Sequence, residues 1–196
     1  PLDVDGDGLT DALGLDTNHD GMIDFVAMDT DGDGQLDTAL ADYDHDGEMD
    51  AVGSDSNGDG VMDVFAMDTD ADGQLDTMVA DHDHDGQIDT VGVDSNSDGV
   101  MDMFVMDTDG DQIIDVAATD SDHDGRVDMV VADTDQDGVF DVGVADVDAD
   151  GTADVAVIDV NNDGRVDAIV MDTSSDSSGV YDTFVRDDET TDTRLA

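Results

Sequence analysis

Aspartate recurs at every thirteenth residue of this chain. Steps of thirteen from Asp3 reach Asp16, Asp29, Asp42, Asp55, Asp68, Asp81, Asp94, Asp107, Asp120, Asp133, Asp146, Asp159 and Asp172. Two residues further along each unit stands a second oxygen donor: Asp5, Asn18, Asp31, Asp44, Asn57, Asp70, Asp83, Asn96, Asp109, Asp122, Asp135, Asp148 and Asn161. The fifth position holds Asp7, Asp20, Asp33, Asp46, Asp59, Asp72, Asp85, Asp98, Asp111, Asp124, Asp137, Asp150 and Asp163. The ninth holds Asp11, Asp24, Asp37, Asp50, Asp63, Asp76, Asp89, Asp102, Asp115, Asp128, Asp141, Asp154 and Asp167. The sixth is Gly in twelve of the first thirteen units, with Gln112 the exception. The chemistry open to such a set is the ligation of a hard cation. Calcium takes six to eight oxygens in a flexible shell, and carboxylates at positions 1, 3 and 5 of a tight loop can converge on one centre. Gly at position 6 permits the positive φ that turns the chain back, which points the carbonyl of position 7 at the ion.

An EF-hand closes its shell with an acid at position 12. Here position 12 is Gly, Ala, Val or Leu, so Asp at position 9 is the expected bidentate closure. Helix–loop–helix hands are thereby excluded. The pattern D-x-D-x-D-G-x-x-D resembles the calcium loops of integrin-type FG-GAP and related bacterial repeats, and the 13-residue spacing resembles thrombospondin type 3 repeats. The resemblance implies calcium held through loop positions 1, 3, 5 and 9 in secreted proteins. Thrombospondin type 3 repeats contain Cys and this chain has none. FG-GAP units recur once per propeller blade, far more widely than every thirteen residues. The resemblance therefore carries the loop chemistry and leaves the fold to be derived.

The elements that must position these loops are short. Position 8 is apolar in twelve of the first thirteen units, Thr10 excepted, and position 11 is apolar or Gly throughout. Val, Ile, Phe, Met and Thr dominate positions 7–13, as in VMDVFAM at residues 61–67, which predicts a strand in each unit. The fold class expected is all-β, a calcium-stabilised repeat solenoid of short strands joined by these loops. A longer period sets the expected turn: residues 29–67 match residues 68–106 at 28 of 39 positions. Three units per 39-residue turn, each stacked on its own kind with positions 8 and 11 filling the interior, is preferred to a meander. A small propeller and a strandless calcium-wrapped rod are the other arrangements. Duplication in blocks of three units explains the longer period equally well. The array occupies residues 1–171, thirteen units from residue 3, and residues 172–196 hold a degenerate final unit and a polar tail.

Composition bounds the function. Fifty-six Asp and Glu stand against four Lys and Arg, for a formal charge of −52. That sign excludes nucleic acid as a partner, and without cations it favours a disordered chain. No Cys is present to staple the fold, and no apolar run approaches a membrane span. Magnesium resists dehydration, and His or Cys ligation of transition metals has no pattern here. One calcium ion in each of thirteen units would halve the charge.

Other residues invite weaker readings. His19, His45, His84 and His123 at position 4, and His82 at position 2, read as solvated side chains pointing away from the ion. The hydroxyls of Thr30, Ser56, Thr69, Ser95, Thr108, Ser121, Thr134 and Thr173 at position 2 read first as solvated, and second as acceptors for O-linked glycans. Paired carboxylates occur everywhere, so none marks an acid–base catalyst, and an enzyme is not expected. The function expected is an extracellular or cell-surface calcium-binding structural repeat, a fibre or filament subunit or a spacer rigidified by calcium. The alternative is a calcium-dependent adhesion or ligand-binding module, with an incomplete site at Gln112 or Asp172. A third class is an acidic protein associated with mineral. Pro1 in place of Met suggests a processed N-terminus or a segment of a longer array, and an uncapped end suggests end-to-end self-association.

Overall fold

The computed structural model describes residues 1–3, 6, 8–172 and 183–186. All its regular elements are strands of four residues, at positions 10–13 of the first thirteen units and at Thr183–Arg186. The chain divides into two compact units, Pro1–Met101 and Asp102–Ala196. The first contains β1 (Ala12–Leu15), β2 (Phe25–Met28), β3 (Thr38–Ala41), β4 (Ala51–Ser54), β5 (Val64–Met67), β6 (Thr77–Ala80) and β7 (Thr90–Val93). The second contains β8 (Met103–Met106), β9 (Val116–Thr119), β10 (Met129–Ala132), β11 (Val142–Ala145), β12 (Val155–Ile158), β13 (Ala168–Met171) and β14 (Thr183–Arg186). The strands are shorter than the seven apolar-rich positions predict. Asp at position 9 and at the next position 1 is committed to the loops, which leaves only four uncharged residues for the ladder.

Within each unit every strand pairs antiparallel with the next. Position 10 of one strand faces position 13 of its successor, as in Ala51 opposite Met67, and position 12 faces position 11, as in Gly53 opposite Phe65. The second unit repeats this register, with Val142 opposite Ile158. The all-β repeat of short strands and Asp-rich loops is as expected. The expected 39-residue turn is corrected: strand n lies beside strand n+1, not in parallel on strand n+3. The reason lies in the loops. Position 4 adopts a left-handed backbone in loop after loop, as at Ala71 (φ 62°) and Asn162 (φ 54°), and so does position 6, as at Gly73 (φ 87°). Two such residues in one nine-residue loop turn the chain fully back. The neck then closes by a hydrogen bond from the N–H of position 9 to the carbonyl before position 1, as from Asp76 to Met67 at 2.8 Å. The 39-residue period survives in side chains such as His45, His84 and His123.

The interior is also not the one expected. Among the described residues the buried apolar side chains are five alanines, Ala27, Ala41, Ala51, Ala80 and Ala168. The buried polar ones are sixteen aspartates and Thr90. Position 8 residues such as Ile23, Ile88 and Phe140, and Phe65 and Val130 at position 11, remain substantially exposed. Four-residue strands give large side chains few neighbours beyond the adjacent strand, as where Ile23 lies over Gly14 and Phe65 over Gly53. The loops, by contrast, fold around their own carboxylates. Burial of apolar surface is the usual offset to chain entropy, and this fold has little of it.

Candidate metal centres

Each loop is organised by carboxylates that accept backbone N–H donors. In the loop Asp68–Asp76, Asp68 accepts from the N–H of Ala71 and of Gly73, both at 2.7 Å. Asp72 accepts from the N–H of Gln74 at 2.9 Å. Asp76 reaches back across the loop, and one of its oxygens accepts from the N–H of Thr69 at 2.8 Å, the Thr69 hydroxyl at 2.8 Å and the N–H of Asp70 at 3.2 Å. The left-handed backbone at positions 4 and 6 aims these N–H groups inward. The same pattern recurs from Asp3, which accepts from Gly6 and Gly8 at 2.7 and 3.1 Å, to Asp159, which accepts from Gly164 at 2.8 Å.

Several of these carboxylate groups could hold a metal ion. Asp68, Asp70, Asp72 and Asp76 bring one oxygen each to within 4.8 Å of one another. Asp16, Asp20 and Asp24 do so, as do Asp42, Asp44 and Asp50. Asp29, Asp31 and Asp33 form another group without Asp37, and Asp81, Asp83 and Asp85 another without Asp89. At three position-3 Asn residues the amide turns to position 5, as where Asn18 donates to Asp20 at 3.1 Å and Asn57 to Asp59 at 3.3 Å, whereas Asn161 donates to Asp167 at position 9, at 3.2 Å. Asp5 and Asp7 lie outside the described residues. The donors are all oxygen. The buried Asp76, Asp81 and Asp141 each keep one carboxylate oxygen without a hydrogen-bond partner. A buried anionic oxygen left unpaired is costly, and a cation among these oxygens would remove that cost. The residues present therefore fit a hard cation.

Electrostatics divides the ligand positions. At position 9 the Thr17 hydroxyl, ahead of backbone N–H donors and His45, holds Asp24 down at a pKa of about 2. The Ser56 hydroxyl does the same for Asp63, again to about 2. Asp37, Asp128 and Asp141 are lowered chiefly by the hydroxyls of Thr30, Ser121 and Thr134. At position 3, burial together with the neighbouring carboxylates raises Asp109, Asp122, Asp135 and Asp148. In these loops hydroxyl and N–H donors hold the position-9 carboxylate in its ionised form, while burial first and neighbouring carboxylates second disfavour the charge at position 3.

Two features of the sequence have roles other than those expected. The position-2 hydroxyls of Thr30, Ser56, Thr69, Thr108, Ser121 and Thr134 are donors to the position-9 carboxylate, at 2.5–2.8 Å. Thr173 lies outside the described residues. Three histidines are not simply solvated: the Nδ1 atoms of His45, His84 and His123 lie 3.2, 3.0 and 2.7 Å from Asp24, Asp63 and Asp102. Position 4 itself carried a signal for the left-handed backbone, since Gly6, Gly32, Gly58, Gly110 and Asn162 all stand there.

Comparison with family models, with curated proteins and with solved structures finds no match to the chain. Among the described residues no helix is long and apolar enough to cross a membrane.

Proposed function

We propose that this chain is an extracellular calcium-binding structural repeat, a fibre subunit or surface-protein spacer that calcium makes rigid. The observation that carries this reading is an interior made of aspartate, with oxygens of Asp76, Asp81 and Asp141 left unpartnered inside it. A charge of −52 with so little buried apolar surface has no other evident source of stability. Calcium suits the all-oxygen set and its uneven geometry, whereas magnesium demands a near-ideal octahedron and keeps its waters. A cation that binds the folded loops alone stabilises them, and the many loops add. Sites of about 10⁻⁴–10⁻³ M are filled where calcium is plentiful, as it is outside cells, which supports the extracellular assignment. The repeated carboxylates are accounted for as ligands, so no catalytic role is assigned to them.

The test is far-UV circular dichroism during a calcium titration of the EDTA-stripped chain, with calorimetry in parallel. A cooperative gain of β signal and about one ion per loop is expected, with a weaker response to magnesium. A spectrum unchanged at millimolar calcium would falsify the reading and leave a disordered polyacid.

A further inference from the structure

Resting on that reading, we infer that within each compact unit cation binding is coupled along each edge of the sheet, between loops 26 residues apart, and not between loops that follow one another in sequence. Because the strands reverse at every loop, loops n and n+2 share an edge and loop n+1 lies on the opposite one. Two strand spacings, about 9.6 Å, separate same-edge neighbours, whereas a whole strand of about 13 Å separates successive loops.

The links on each edge join ligand residues directly. The N–H of position 1 in loop n+2 donates to the carbonyl of position 9 in loop n: Asp42 to Asp24 at 2.8 Å, Asp68 to Asp50 at 2.7 Å, Asp81 to Asp63 at 2.8 Å, Asp133 to Asp115 at 2.7 Å. A ligand at one site is therefore anchored on the backbone of a ligand at the next. Side chains reinforce the same step. His84 contacts Asp63 at 3.0 Å across it, and Ser97 donates to Asp70 at 3.2 Å. The Gln35 amide donates to the Gly58 carbonyl at 3.1 Å, and that of Gln74 to the Ser97 carbonyl at 2.9 Å. Position 7 of one loop also covers position 6 of the loop two further on: a Cβ on Gly73 would stand 3.0 Å from Glu48, and one on Gly99 2.9 Å from Gln74. Ordering one loop around a cation therefore fixes atoms of its same-edge neighbour before that neighbour binds, the condition for positive coupling.

Loop Asp81–Asp89 offers the test, since it bears the unpartnered Asp81 oxygen and two links to Asp63. The chain has no Trp, so one Trp at position 7 reports terbium in a single loop by sensitised luminescence. Val61→Trp reports loop Asp55–Asp63 on the same edge, and Gln74→Trp reports loop Asp68–Asp76 on the other. Each is measured in the full chain with and without the pair Asp83→Asn and Asp85→Asn, in about 0.15 M salt, where the Debye length of about 8 Å screens bare charge effects. Terbium affinity at loop 55–63 is expected to fall about fivefold or more, and at loop 68–76 by less than about twofold. Equal losses, a larger loss at loop 68–76, or no loss at either would overturn the coupling. Absence of sensitised terbium in both Trp parents would instead overturn the cation reading beneath it.

Discussion

Loops Asp68–Asp76 and Asp146–Asp154 carry the same four aspartates, the same Ala at position 4 and the same Gly at position 6, yet they hold position 9 differently. In the first, Asp76 is buried and accepts three donors, one of them the Thr69 hydroxyl. In the second, position 2 is Val147, 72% exposed, and among the described residues the carboxylate of the half-buried Asp154 accepts from the N–H groups of Val147 and Asp148, at 2.7 and 3.1 Å, with no hydroxyl donor. Burial at position 3 raises Asp148. Identical ligands do not make identical sites, because the residue beside the ligand decides how firmly its carboxylate is held.

The strongest way to break the comparison is to remove the ligand. Asp76→Ala deprives Thr69 and Asp70 of their acceptor as well as removing an oxygen. Cation affinity in that loop, read by terbium with a position-7 Trp, should fall more than about a hundredfold, and Asp154→Ala should cost its own loop less. Exchanging the supports comes next. Thr69→Val should weaken loop 68–76 roughly tenfold, and Val147→Thr should strengthen loop 146–154 by a similar factor. If neither affinity moves, the hydroxyl has no part in positioning Asp76.

Acid should separate the same two loops. The pKa of Asp148 is raised above 3.8, whereas Asp76 is lowered by the N–H and hydroxyl of Thr69. As pH falls, Asp148 protonates first, so loop 146–154 should release its cation at a higher pH than loop 68–76. The sign for folding follows from linkage. Asp24 and Asp63, at about 2 when folded against 3.8 ordinarily, add stability that is complete above about pH 4 and lost as pH falls toward 2. Asp148 acts oppositely and costs stability as it ionises. Circular dichroism from about pH 6 downward, compared at limiting and at saturating calcium, tests both signs, because a bound cation would itself hold Asp148 ionised. The smallest effect concerns position 4. Ala71 and Ala149 sit at φ 62° and 59°, so Ala71→Gly and Ala149→Gly should each stabilise the calcium-loaded fold by about 1 kcal/mol, measured as a shift in denaturant midpoint.

The carboxylate clusters were legible because a cation loop needs particular atoms at particular spacings, and thirteen repeats in register expose them. The left-handed position 4 was equally legible in Gly6, Gly32, Gly58, Gly110 and Asn162, although His19, His45, His84 and His123 at the same position mask that backbone preference. The hydroxyl support at position 2 was less so, since an exposed Thr and one that bonds a ligand look alike without coordinates. The 39-residue period pointed to the wrong neighbour. It repeats residue types three units apart, whereas strand pairing follows chain reversal, which local dihedrals control.

The sequence by itself determined the all-β repeat and the clustering of oxygen donors in each loop, because both are set within thirteen residues. Only the tertiary structure decided that strands pair with their immediate successors, that aspartate rather than leucine or valine fills the interior, and that loops 26 residues apart share hydrogen bonds. Those depend on which segments meet in space, and a repeating sequence offers every unit the same set of partners.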